Sequence, residues 1–244
     1  MTTRVGMIVG AATVSAVCYA SAQGPASTDP ELLYRHREDL AAAARAADLW
    51  EAHATTDYES AWKLARVCHW MGEHQAGPLG KRALERGVDA GNNAVRLQPD
   101  RPEGHFWLAA NMGTLAEASA IVQGLKYRGR IRQELEKAIA IDPRWQGGSA
   151  EAVLGQWFLE VPRLFGGSTG KAEAHLRQAL AYDGDNRIAL SVLADLLAET
   201  GRRSEARALL QRLLDAPLDE EWGPEDKDYK RKAADRLKTL TPDR

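Results

Sequence analysis

A few clusters in this chain carry residue types that could do chemistry. Gly166-Gly167-Ser168-Thr169-Gly170 has the G-x-S-x-G spacing of a nucleophile elbow, which would serve acyl transfer. That elbow needs a strand before it and a triad running serine, acid, histidine. The only histidine after Ser168 is His175, and the acid between them, Glu173, stands two residues from it, so on one helix the two point apart. A loop leading into a helix cap is the expectation. Thr169-Gly170-Lys171-Ala172 looks like the end of a phosphate loop. However, Phe165 stands where that pattern requires glycine, and Ala172 where magnesium needs a hydroxyl. His36, His53, His69, His74, His105 and His175 could ligate metal. His69 and His74 are five apart, about 140° around a helix of 3.6 residues per turn, and neither H-E-x-x-H nor paired cysteines occur. Catalytic residues, cofactor and metal are all expected to be absent.

Composition narrows the classes further. With 244 residues, 44% hydrophobic and 27% charged, and a net charge of −2, the chain can bury a substantial core. It lacks the basic excess that nucleic-acid binding uses. The basic run Lys126, Arg128, Arg130, Arg132 is followed at once by Glu134 and Glu136 and reads as a solvated helix start. Two cysteines exclude a disulfide framework. Cys68 lies in the helical run Trp62 to Cys68 and is expected to fill core as a small apolar side chain.

The elements that must position any site are helices. Alanine, leucine, arginine and glutamate dominate, and alternating β-branched runs are absent. Ala206, Leu209, Leu210, Leu213 and Leu214 form one apolar stripe. Breaks are predicted at Thr55 to Asp57, Ala76 to Pro78, Pro99 to Pro102, Asp142-Pro143, Gly166 to Gly170, Asp183 to Asp185, Gly201 and Gly223-Pro224. They leave about ten helices. Thr28 with Glu31, and Thr56 with Glu59, have capping-box spacing.

The helices come in pairs. Ala94 to Pro99, Ala138 to Pro143 and Ala179 to Gly184 repeat one ending at spacings of 44 and 41. The next unit, with Leu193-Ala194, Leu197, Ala206, Leu210 and Pro217, has tetratricopeptide register. Its predecessor, with Leu154-Gly155, Phe158, Ala172, Leu176 and Ala179, has it with Val161 to Gly167 inserted. The units around Leu64-Ala65 and Leu108-Ala109 carry about ten extra residues each. Glycine or alanine where two helices meet lets backbones approach, and pairs that cannot bury their faces alone must stack. The predicted fold is an all-α, right-handed solenoid of TPR-like helix pairs over residues 31–241, capped by an exposed helix near 225–240.

In the register set by Leu64, the concave surface would carry Trp62, Arg66, His69 and Trp70, then Phe106, Gln156, Glu160, Ser191 and Asp195. Aromatic residues with a polar handle suit ligand or peptide contact. The alternative for Trp62 and Trp70 is packing against the N-terminal helix. Trp107, Trp145, Trp157 and Trp222 read as packing residues.

The runs His105 to Ala110, Lys137 to Pro143, and Val161 to Ser168 followed by Lys171-Ala172-Glu173 resemble bacterial envelope proteins of the TatT type, the tetratricopeptide T-components associated with TRAP transporters. The layout is also similar to that of the regulator-of-microtubule-dynamics proteins. The resemblance covers roughly residues 45 to 240. It implies a non-catalytic, all-helical binding or adaptor role with an envelope protein or a small solute as partner, and nucleic acid is not expected. An accessory role in a TRAP-type transporter is the finer alternative. An enzyme would need an acid, base or nucleophile set that spacing does not reveal.

Residues 1–22 read as a signal peptide: Arg4, an apolar run from Val5 to Val17, then Ala20-Ser21-Ala22 before Gln23. Residues 23–30 are a polar lead-in. The run is shorter than the ~20 residues of a membrane span. An uncleaved anchor and lipidation at Cys18 are the alternatives, and either would tether the protein to a membrane. Ser15-Ala16-Val17 suit lipidation poorly. A periplasmic or secreted location is the expectation.

Overall fold

The computed structural model describes residues 27–117 and 121–240. The predicted signal peptide lies outside the described residues. Eleven α-helices and no strands occur among the described residues. They are α1 (Pro30–Arg35), α2 (Leu40–Glu51), α3 (Tyr58–His74), α4 (Pro78–Leu97), α5 (Pro102–Glu117), α6 (Ile121–Ile141), α7 (Ser149–Glu160), α8 (Thr169–Tyr182), α9 (Arg187–Glu199), α10 (Arg203–Asp215) and α11 (Gly223–Thr239). Each predicted break lies between two helices or at the start of the second, as Gly223-Pro224 opens α11, and the division of α5 from α6 is not among the predicted breaks. An additional break at residues 36–39 divides α1 from α2, where Arg37 and Asp39 N–H groups close turns on Tyr34 and His36 carbonyls.

The helix starts differ from the predicted capping boxes in one respect. Asp29, not Thr28, caps α1 by accepting from Glu31 N–H, and Asp57, not Thr56, caps α3 by accepting from Ser60 N–H. A carboxylate at these positions also meets the positive end of the helix dipole. Ser168 caps α8, its Oγ 3.3 Å from Lys171 N. The hydroxyl of the elbow-like sequence therefore opens a helix. The basic run also sits differently: it lies within α6 and not at a helix start.

Consecutive hairpins α3–α4, α5–α6, α7–α8 and α9–α10 stack in order, with α1 against α2, α2 against α3, and α11 against α10 and α9. Close approach at the A/B contact follows the small-residue rule. A Cβ on Gly155 would stand 2.7 Å from Leu176 Cγ, and one on Gly91 2.8 Å from Leu108 Cα. Cys68 is buried, and burial pushes its thiol up to about 12. It fills space and cannot act as a thiolate near neutrality.

The last helix packs on α10 and α9 with Asp226 and Ala233 as its buried residues, and with the segment before it makes contacts that no sequence spacing placed. Trp222 stacks on Trp107, ring centroids 6.1 Å apart, and Asp226 is buried and paired with Arg187. Lys227 pairs with Glu38, His74 Nε2 lies 3.0 Å from Asp228, and Arg37, fully buried, pairs with Glu225. The end of the chain thus crosses the concave side and closes onto its beginning.

Candidate functional site

The A helices α3, α5, α7 and α9 turn one face inward and, with α11, enclose an open groove of about 1030 Å³. That volume is at the upper end of what a small-molecule site occupies, about 300–1,000 Å³. Eight of the nine residues placed on the concave surface by sequence register line it: Arg66, His69, Trp70, Phe106, Gln156, Glu160, Ser191 and Asp195. Trp62 does not. It packs outside the groove under the Arg66 guanidinium, 4.9 Å from the ring centroid. Eight residues make a little more than two helical turns, about 80° past a full rotation. That offset carries Trp62 to the side of α3 while Trp70 faces in.

Trp70 is both core and wall: it is buried, and its Nε1–H donates to the Arg37 carbonyl at 2.7 Å. Trp107, Trp157 and Trp222, read from sequence as packing residues, also line the groove. For Trp157 the available signal was its position three residues before the concave Glu160, one helical turn away; Trp107 directly follows the concave Phe106, a step of about 100° that keeps it beside the groove.

Two residues expected to be free for ligand are engaged by the chain itself. Arg66, buried, lies over Tyr34 at 3.9 Å and pairs with Glu221 at 2.6 Å and Glu31 at 3.3 Å. Asp195 accepts from Arg236 at 2.8 Å. His69 lies 3.2 Å from Thr114 Oγ1 and 3.6 Å from the Glu73 carboxylate. Gln146 at the groove wall holds φ at 45°, a conformation that costs a non-glycine residue and clusters at functional sites.

The carboxylates at the mouth are not balanced in the same way. Burial raises the Glu117 carboxyl above its ordinary value and the Glu73 charge adds to this. Burial also raises Glu160, with Glu117 adding and a Gln156 hydrogen bond opposing. Gly113 sits on the α5 wall with open space around the position of a Cβ. Its lack of a side chain keeps the groove wide and serves no packing contact.

His175 Nδ1 contacts Glu151 at 2.6 Å and its ring stacks on Phe158, so it is turned to a structural pair. No group of three or more histidine, cysteine, aspartate or glutamate side chains among the described residues could hold a metal ion. No helix among them is long and apolar enough to cross a membrane. What the arrangement can do is bind, with aromatic walls, a few polar groups and an acidic mouth.

Comparison with known proteins agrees with this architecture. Residues 167–223 match the tetratricopeptide repeat family. A crystal structure of a thermophilic TPR protein from Thermus thermophilus superposes with TM-score 0.62 at 25% identity, covering 85% of this chain and 97% of that one. A crystal structure of MamA aligns at TM-score 0.47 and 15% identity over 84% of this chain and 99% of that one. Regulator of microtubule dynamics protein 1 of Caenorhabditis elegans is 27% identical over 82 residues, 34% of this chain and 36% of that protein, so the matched stretch spans about a third of its length. Residues 31–165, more than half of the chain, match the model of regulator of microtubule dynamics protein 1-3. This helical-repeat chain belongs to the regulator of microtubule dynamics protein 1-3 family.

Proposed function

We propose that this protein is a non-catalytic adaptor, exported to the periplasm or secreted, that holds a segment of a partner protein in its concave groove. The observation that carries this reading is the groove itself, built from inward faces of four A helices and walled by Trp70, Phe106, Trp107 and Trp157. Aromatic residues with desolvated surroundings dominate binding energy at protein interfaces. From the family we carry over the scaffold and not a microtubule role, because the matched stretch spans 36% of the relative so named.

The test uses the open space at Gly113. Gly113→Trp adds a bulky side chain to the groove wall at a position where a Cβ meets nothing within 4 Å, and it replaces a poor helix former. Photo-crosslinking from Ser191 in whole cells should trap a partner with the native chain and lose it with Gly113→Trp. A partner trapped equally by both would overturn the proposal. Location is tested by fractionation: export with an N-terminus at Gln23 is expected, and retention of residues 1–22 on a cytoplasmic protein would contradict it.

A second reading, an accessory ligand-binding component of a TRAP-type transporter, is favoured by a groove large enough for a small solute. Small organic acids should then raise the unfolding temperature by mass action, and Gly113→Trp should abolish the rise. No shift at saturating concentrations would remove this reading.

A further inference from the structure

Three successive A helices bring a glutamate to the same edge of the groove. Glu73 is the penultimate residue of α3, Glu160 is the last residue of α7, and Glu117 is the last described residue of α5. Helix C-termini already present partial negative charge from unpaired carbonyls, and α7 has no basic residue in its last turn. All three glutamates line the groove. They also sense one another: the Glu73 charge raises the Glu117 carboxyl, and the Glu117 charge raises Glu160, each on top of burial.

The chain does not neutralise this edge. No arginine or lysine among the described residues pairs with any of the three. Glu73 has His69 at 3.6 Å, and Glu160 accepts from Gln156 at 2.6 Å. Of the other cations in the groove, Arg66 is paired with Glu31 and Glu221 and Arg187 with Asp226, while Arg128 lies over the Phe165 ring and Lys232 over the Tyr229 ring. An acidic residue at a helix C-terminus opposes helix stability, so folding alone gives no reason for Glu73 and Glu160 at the ends of α3 and α7.

A second observation points to what would fill it. Trp107 is 6% exposed and lines the groove, and its indole N–H has no acceptor. A simple cation would answer the carboxylates but could accept nothing from this donor. A polypeptide does both, because its carbonyls accept while arginine or lysine side chains meet the carboxylates. The stems of those side chains suit the indoles of Trp70, Trp107 and Trp157, and a guanidinium over an indole face adds cation–π attraction.

We infer that the groove edge formed by Glu73, Glu117 and Glu160 docks an extended basic segment of a partner protein, arginine- or lysine-bearing with apolar residues between. This rests on the adaptor reading and specifies the partner's chemistry.

The experiment measures fluorescence anisotropy of a labelled peptide alternating arginine and leucine, with a glutamate–leucine peptide beside it, on the full chain. The arginine peptide should bind and the glutamate peptide should not. Affinity should fall with added salt and drop about tenfold or more in Glu117→Gln/Glu160→Gln, as expected when charge-assisted contacts are removed. Glu85→Gln/Glu136→Gln, which changes two acids outside the groove, should leave binding unchanged. Equal loss in both double variants, or no loss in either, would overturn the inference. If the glutamate peptide binds instead and Gly113→Trp blocks it, the basic segment is wrong and the groove reading stands. If neither peptide binds, the inference fails, and the crosslinking experiment decides the adaptor reading separately.

Discussion

The two halves of the repeat array reach the same stacking by different means. In the C-terminal half, α9 and α10 have 13 residues each and bury leucine and alanine against one another: Leu190, Leu193, Leu197, Ala206, Leu210 and Leu213. In the N-terminal half, α3 to α6 have 17, 20, 16 and 21 residues. There α4 uses Gly80 and Gly91 to bring backbones together and Gly87 to make room for the Asn111 side chain, and Asn111 and the His105–Glu134 pair are buried within it. Asn111 Nδ2 donates to the Ala65 carbonyl at 2.9 Å, linking two A helices. The first arrangement is held by filled volume and tolerates little loss of it. The second is held by closeness and paired polar groups, and tolerates little gain.

Opposite substitutions should therefore do the damage in the two halves. The largest effect is expected from Leu193→Ala, where a fully buried side chain on α9 is removed. About 2–5 kcal/mol of stability should be lost in denaturant unfolding, and a loss well under 1 kcal/mol would mean the C-terminal half is loosely packed. Next comes Gly91→Ala, whose Cβ would meet the Leu108 backbone. Overpacking of about 1–3 kcal/mol should outweigh the gain in helix propensity, and a stabilised variant would erase the contrast drawn here. Gly113→Ala is the matched control, a glycine with open space. It should stabilise by about 0.5–1 kcal/mol without moving the unfolding cooperativity.

The smallest effect concerns pH. Burial disfavours a charged His105, but hydrogen bonds with Glu134 at 2.6 Å and with the Pro99 carbonyl outweigh it, so its pKa lies above the ordinary imidazole value. That contribution is complete below the ordinary value and is lost as pH rises through the raised one. Burial would raise Glu134, yet the His105 contact and Arg130 lower it overall. Its share is present above the ordinary carboxylate range and is lost as pH falls through the lowered value. Stability should thus decline as pH rises past the ordinary imidazole value toward the raised one in the native chain, and the decline should shrink in His105→Gln. An unchanged slope would show that the pair does not titrate on unfolding.

Closure of the array adds a third kind of contact, neither packed apolar volume nor close backbone. Glu221 and Glu225 at the end of the chain meet Arg66 and Arg37 near its start, and Trp222 lies on Trp107. Because Arg66 and Asp195 hold this last segment, the part of the groove left to a partner lies toward the ends of α3, α5 and α7.

The local sequence by itself determined the helices, their breaks and the inward face. Helical period, capping residues, prolines and glycines act within a few positions, so Leu154-Gly155 against Leu176, and eight of the concave residues, could be read from spacing. Only the tertiary structure decided that Trp62 leaves the groove, that α11 crosses it, and which charges remain unpaired at its mouth. The physical reason is distance along the chain. Arg66 and Glu221 are 155 residues apart and Arg37 and Glu225 are 188 apart, and such pairs follow no period. They exist only because stacked hairpins curve far enough for the last helix to reach the first.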